Sequence, residues 1–180
     1  MLWGIMATTY KSTRKKNKEF IISEADSTIS LVEDSAFKYY SDSSNYLKGM
    51  LGINASITNE MDYIDITRKG IKKDSVVRVS QKLGISQEKM SSLLHMSART
   101  FQRLNDNEPL DIYTTEQTIE MAKVIVRAHQ VFEDEATAIQ WLKSPLKVLG
   151  GVSPIDLFDT SFGVQMVLDV LGRIEQGVYS

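Results

Sequence analysis

Apolar residues recur at three- and four-residue spacing through the second half of the chain, a pattern that predicts amphipathic helices. One helix is predicted from Asp74 to Leu83, and Gly84 follows it where a left-handed C-cap residue belongs. Two shorter helices follow, each with a serine as its N-cap, Ser86 and Ser97. Their predicted buried positions are Met90, Leu94, Met96, Phe101 and Leu104, with the small Ser91 allowing the helices to approach.

Two short helices joined by a tight turn at this spacing are typical of a DNA-binding helix-turn-helix. His95 stands where glycine usually lies, so it must adopt a positive φ. Ser97 is first of all a helix cap, and Arg103 has two possible roles, a phosphate contact or an ion pair with Asp106. The predicted DNA-contact residues are Ser97, Arg99, Thr100, Gln102 and Arg103, with Lys72 and Lys73 as outer phosphate contacts.

The C-terminal half predicts further helices. A long helix is predicted with the apolar residues from Ile119 to Phe132, and Thr114 and Gln117 form its capping box. Asp134 caps a second helix, which ends at Ser144-Pro145. Gly150-Gly151 forms a turn, Ser153-Pro154 starts a short helix, and the last helix begins near Thr160. The predicted core stripe of this last helix is Phe162, Met166, Val167, Val170, Leu171 and Ile174. Gly172 lies inside the helix and permits close approach of another backbone, and Gly177 ends the helix.

The first 67 residues are harder to interpret. They begin with a basic arm, Thr8 to Lys18, and Met6 is a second possible start. Apolar spacing from Ile29 to Tyr40 predicts a helix, and the polar residues 41–45 a loop. Residues 46–66 are compatible with a strand or a helix.

Charge divides the chain more sharply than its net charge of -2 suggests. Residues 68–104 hold nine bases and two acids, a net of +7, between segments of -6 (21–67) and -7 (105–180). This asymmetry favours a polyanion-binding module.

Composition excludes several classes of function. There is no cysteine, and the two histidines are far apart in sequence, which argues against disulfide scaffolds, thiol nucleophiles and zinc fingers. No segment reaches the roughly 18 to 20 apolar residues of a membrane helix, so a cytoplasmic location is expected. Asp156 and Asp159 suit helix-start charges better than a catalytic pair, and neither catalytic residue, metal nor cofactor is expected.

The segment WLKSPLKVLGGVSPIDLFDTSFGVQMVLDVLGRIEQGVYS resembles the toxin-binding domain of the Xre/MbcA/ParS antitoxins in its Trp-Leu, Leu-Gly-Gly, Pro-x-Asp-Leu and Leu-Gly-Arg-Ile-Glu-x-Gly-Val elements. The preceding motif is similar to the family's Xre-type DNA-binding domain. The resemblance covers about residues 68–180. It implies an all-α chain in three parts: an N-terminal extension (1–67), a helix-turn-helix domain (68–110), and a helical domain for toxin binding and dimerisation (111–180) with a C-terminal tail.

In function, the resemblance implies a non-enzymatic type II antitoxin whose partner is a RES-domain toxin that consumes NAD or uses it for ADP-ribosylation. It also implies a homodimer within a larger complex and autorepression through operator DNA. The residues that would cover the toxin's active site are Leu171, Arg173, Glu175, Gly177, Val178, Tyr179 and Ser180. The residues alone leave open a standalone transcription regulator with a helical dimerisation or ligand domain.

Overall fold

The computed structural model describes residues 42–178, and the predicted basic arm and the Ile29–Tyr40 helix lie outside this range. Within it the chain is all-α, as predicted, with an isolated bridge between Leu146 and Val152. Helix α1 occupies residues 42–51 of the described range. The other helices are α2 (Glu60–Lys69), α3 (Lys73–Leu83), α4 (Gln87–Leu93), α5 (Ala98–Arg103), α6 (Ile112–Phe132), α7 (Glu135–Lys143) and α8 (Ser161–Glu175), with 3-10 turns at Lys147–Leu149 and Pro154–Leu157.

Most helix boundaries lie where the sequence predicted them. Ser86, Ser97, Asp134 and Thr160 each cap a helix by accepting a backbone N–H with a side-chain oxygen. Gly84 ends α3 at φ 58°, in the left-handed region. Each of these four caps joins residues only three positions apart, so it could be predicted from local sequence.

The predicted capping box of Thr114 and Gln117 is wrong. The cap of α6 is Asp111, whose carboxylate accepts the N–H of Thr114 at 3.0 Å and its hydroxyl at 2.6 Å. Thr114 lies in the first turn of the helix and is buried. The prediction relied on the apolar stripe from Ile119 onward and placed the cap at Thr114, although Ile112 and Tyr113 already belong to the helix.

Residues 42–45, predicted as a loop, are helical. Leu47, Met50 and Leu51 share one face of α1 and are buried in the common core. The hydroxyl of Ser75 on α3 donates to the carbonyl of Leu51 at 2.6 Å, which satisfies a terminal carbonyl of α1. Tertiary packing of this face therefore outweighs the low helix propensity of the serines.

Helix α6 lies at the centre of the described fold and contacts α2, α3, α7 and α8. Met121, Ala122 and Val124 are completely buried. Residues 42–178 belong to one compact unit. The predicted domain boundaries at 67/68 and 110/111 stay predictions.

Two glycines of α8 differ in their surroundings. A Cβ on Gly163 would lie 2.1 Å from the carbonyl oxygen of Leu157, so the close approach of α8 to the preceding 3-10 turn requires glycine there. A Cβ on Gly172 would meet nothing within 4 Å. The close approach predicted at Gly172 thus has no counterpart among the described residues.

Candidate functional site

The helix-turn-helix consists of α4, the turn at residues 94–97, and α5. Met90 and Phe101 are buried between the helices, together with Leu94 from the turn. His95 has a φ of 56°, which confirms that it takes the left-handed position usually held by glycine. Buried side chains on both helices therefore fix the short α5 against the rest of the fold.

The ring of His95 contacts the chain just before α8. Its Nε2 lies 2.7 Å from the carbonyl oxygen of Asp159. Because a carbonyl only accepts, Nε2 is the protonated nitrogen in this contact. The imidazole bond offers a local reason for histidine at a position where glycine would avoid the cost of a positive φ.

Further polar contacts join the motif to the C-terminal half. Lys89 on α4 pairs with Asp156 at 2.5 Å. Lys143, at the end of α7, donates to the carbonyl of Gly84 at 2.9 Å. Together with the His95 bond, these contacts connect the turn at Gly84, helix α4 and the turn at His95 to the segments around α7 and α8. None of the three was foreseen, because each joins residues more than fifty positions apart.

The predicted DNA-contact residues of α5 lie on its exposed side. Arg99, Thr100, Gln102 and Arg103 are all exposed, and a shallow depression is lined by Arg99, Thr100, Arg103 and Leu104. The Ser97 hydroxyl accepts the N–H of Thr100 at 3.0 Å and lies 2.8 Å from the Thr100 hydroxyl, so its role here is capping. The base-reading candidates are therefore gathered on one face of one helix.

Internal ion pairs use four of the nine bases in residues 68–104. These pairs are Lys73–Asp106 at 3.0 Å, Arg78–Asp74 at 2.7 Å, Lys82–Glu135 at 2.6 Å and Lys89–Asp156 at 2.5 Å. The Lys82 ammonium lowers the pKa of the Glu135 carboxyl. Five bases are exposed and have no ion pair with any residue of 42–178, namely Arg68, Lys69, Lys72, Arg99 and Arg103.

The two predicted phosphate contacts, Lys72 and Lys73, differ sharply. Lys72 is exposed. The Lys73 side chain is 16 % exposed and pairs with Asp106, the acid that the sequence had offered as a partner for Arg103. The exposed bases without an ion pair among residues 42–178 include Lys72, Arg99 and Arg103, which we call the basic rim.

The predicted partner-binding residues are divided by the fold. Leu171 is completely buried, so its side chain belongs to the core and offers no surface to a partner. Arg173 is exposed, and Glu175 is held by Arg127 of α6 through both carboxylate oxygens, one at 3.0 Å from Nη1. This hydrogen bond lowers the pKa of Glu175.

The C-terminal end of α8 leads to Gly177, with a φ of 69°, and to Val178, which is 52 % exposed. Tyr179 and Ser180 lie outside the described residues. Arg173, Glu175, Gly177 and Val178 are therefore the accessible part of the predicted partner surface within the described residues, and the Glu175 carboxylate is already paired with Arg127.

Phe162 and Met166 were predicted as core residues and are exposed, at 84 % and 49 %. They are four residues apart and lie on the side of α8 opposite to Val167 and Leu171. The signal was present in the sequence, because the predicted stripe was too wide to fit one buried face. The structure corrects that prediction and adds two large apolar side chains to the surface of α8.

No helix within residues 42–178 is long and apolar enough to cross a membrane. In the same range, no group of three or more histidine, aspartate or glutamate side chains is arranged to hold a metal ion.

Two family models match this chain. Residues 62–123 match the antitoxin Xre-like helix-turn-helix domain. Residues 127–177 match the C-terminal toxin-binding domain of the antitoxins Xre, MbcA and ParS. The first range contains most of α2, all of α3 to α5 and the start of α6, and the second contains the end of α6, α7 and α8.

Individual proteins are also similar to this chain. A Sphingobium protein named Prs ADP-ribosylating antitoxin is 28% identical over 130 residues, 67% of this chain and 82% of that protein. An antitoxin Xre of Yersinia enterocolitica is 45% identical over 47 residues, 26% of this chain and 32% of its own. A chain in the crystal structure of the M. tuberculosis MbcT-MbcA toxin-antitoxin complex is 22% identical, with a TM-score of 0.44, over 60% of this chain and 96% of that one.

Proposed function

We propose that this chain neutralises a cognate RES-domain toxin and represses its own operon, because residues 62–123 and 127–177 match, in that order, the antitoxin Xre-like helix-turn-helix domain and the toxin-binding domain of the antitoxins Xre, MbcA and ParS. It acts in the cytoplasm as a homodimer within a larger toxin–antitoxin complex. It has no catalytic residue and needs no cofactor of its own.

Inhibition of the toxin is steric in this proposal. The match of residues 127–177 to a toxin-binding domain carries it, and that range includes α8 with its accessible C-terminal end. Arg173, Gly177 and Val178, followed by Tyr179 and Ser180, enter the substrate cleft of the toxin. The toxin's chemistry is consumption of NAD or ADP-ribosylation, and the name of the Sphingobium relative refers to ADP-ribosylation.

The test is growth of cells that express the neighbouring toxin gene together with this chain. Deletion of residues 178–180, or Arg173→Ala, should weaken protection while the far-ultraviolet circular dichroism stays unchanged. Gln165→Ala is the matched control, because Gln165 is an exposed residue near the other end of α8. Full protection by both the deletion and Arg173→Ala would refute the covering role of this end.

Operator binding rests on the basic rim and on α5. Arg99 and Gln102 read base edges in the major groove, while Lys72 and Arg103 contact phosphates. In a dimer the two recognition helices would bind half-sites about 34 to 36 Å apart.

Fluorescence anisotropy with the duplex upstream of the gene tests this surface. Arg99→Ala and Gln102→Ala should reduce the preference for that duplex over a scrambled one. Lys72→Ala should instead make the slope of log K against log salt concentration shallower by about 0.9. Unchanged affinity, slope and preference in all three variants would exclude this surface.

A standalone transcription regulator predicts the same DNA results but no toxin partner. Purification through an N-terminal tag, from cells that express the neighbouring gene at native level, separates the two proposals. A stoichiometric RES-domain protein in the eluate supports the antitoxin; the chain alone supports the regulator.

A further inference from the structure

The recognition helix α5 is too short to hold its own position. It has six residues, from Ala98 to Arg103, whereas isolated helices below about 12 to 15 residues are marginal in water. Ser97 caps its first turn. The carbonyl of Phe101 accepts the N–H of Leu104, whereas the carbonyls of Gln102 and Leu104 need donors from outside the helix.

Lys73 supplies these donors from the first turn of α3. Its Nζ lies 3.2 Å from the carbonyl oxygen of Gln102 and 3.1 Å from that of Leu104. A third acceptor, Asp106 Oδ1, lies 3.0 Å away. An ammonium group has three N–H donors, so these three acceptors use its full capacity. The positive charge also stands at the C-terminal end of α5, where the helix dipole favours it.

The surroundings of Lys73 differ from those of a surface lysine. Its side chain is 16 % exposed, and Nζ lies 5.8 Å from the centre of the ring of Phe101, the completely buried anchor of α5. The lysine therefore joins α3, the anchor of α5 and the segment after α5 at one point.

We propose that Lys73 is a positioning residue for DNA recognition and does not contact phosphate. It sets the direction of α5 and, through it, the directions of Arg99 and Gln102. This inference rests on the proposed DNA binding, and it reverses the role that the sequence predicted for Lys73. Its neighbour Lys72, exposed and without an ion pair among the described residues, keeps the phosphate role.

The two roles predict different salt dependence. With the upstream duplex, Lys73→Met should weaken binding about tenfold, because hydrogen bonds from a charged donor are lost, and leave the salt slope unchanged. Affinity for a scrambled duplex should change much less. Lys72→Ala is the matched control, which lowers affinity for both duplexes and makes the slope shallower by about 0.9. A slope that falls in the same way for Lys73→Met would overturn the proposal.

Labelling of the unmodified protein covers the case in which Lys73→Met fails to fold. The full chain is treated with an amine-acylating reagent, with and without the upstream duplex, and each lysine is followed by mass spectrometry. In the free protein Lys73 should react severalfold more slowly than Lys72. Of these two lysines, only Lys72 should react more slowly when DNA is added. Fast labelling of free Lys73, or its protection only by DNA, contradicts the positioning role.

Failure of the proposed DNA binding is recognised separately. In that case the wild-type chain binds neither duplex at low salt, whereas the labelling of the free protein still shows whether Lys73 is held by the end of α5.

Discussion

Substitutions of His95 separate two opposing contributions at the turn between α4 and α5. Any residue with a Cβ raises the free energy of the folded state there, because φ is 56°. The hydrogen bond from His95 Nε2 to the Asp159 carbonyl at 2.7 Å offsets part of this conformational cost. His95→Ala keeps the cost and loses the bond. His95→Gly loses both. The difference between the two variants therefore measures the backbone cost reduced by the greater unfolded-state chain entropy of glycine, and the alanine variant alone measures the bond.

The expected sizes follow from the exposure of the contact. A net hydrogen bond contributes about 0.5 to 1.5 kcal/mol, and the lower half applies because water can replace the ring at the exposed Asp159 carbonyl. His95→Ala should thus lower the free energy of unfolding by about 0.5 to 1 kcal/mol. His95→Gly should stay within about 0.5 kcal/mol of the wild type, because relief of the left-handed conformation is offset by the lost bond and by the greater chain entropy of glycine in the unfolded state.

Urea unfolding followed by circular dichroism provides the assay. Asp159→Ala is the control, since it keeps the backbone carbonyl that accepts the bond, and its effect should remain within about 0.5 kcal/mol. If His95→Ala is as stable as the wild type and His95→Gly is more stable by over about 1 kcal/mol, the imidazole bond contributes nothing and histidine is simply tolerated at this turn.

Three further predictions concern α8. Gly163→Ala should destabilise the fold by about 1 to 3 kcal/mol because its Cβ would meet the Leu157 carbonyl. Gly172→Ala, whose Cβ meets nothing within 4 Å, should stabilise the fold by about 0.5 to 1 kcal/mol. Urea unfolding of both variants tests this pair, and equal effects on stability would contradict the difference in packing. Glu175→Gln should lower the free energy of unfolding by at most about 1 kcal/mol near neutral pH. The hydrogen bond from Arg127 lowers the pKa of Glu175 below 4.5, so the stabilisation by this pair is complete above that pH and disappears as the pH falls through the folded-state pKa. A difference in stability from the wild type that persists in strong acid would contradict this assignment. Leu171→Ala should destabilise by about 2 to 5 kcal/mol and weaken toxin neutralisation only through unfolding, so loss of neutralisation by a fully folded variant would show that Leu171 contacts the toxin directly.

The sequence by itself determined the local features of this protein. The caps at Ser86, Ser97, Asp134 and Thr160 were predictable because each joins groups only a few residues apart. The positive φ at His95 followed from its place in the motif. The exposed face of α5 followed from helical periodicity, and the resemblance of the C-terminal segment to the antitoxin family was confirmed by the matched domains.

Only the tertiary structure decided which charges and apolar residues face outward. Lys73 and Lys72 are adjacent and alike in sequence, yet the fold brings the end of α5 to Lys73 alone. Phe162 and Leu171 are both apolar residues of α8, yet one is exposed and the other buried. Residues 42–45 are helical because α1 packs on the common core and accepts a hydrogen bond from Ser75 of α3. The physical reason is the same in each case: burial and ion pairing depend on partners distant in sequence, whereas capping and periodicity depend on near neighbours.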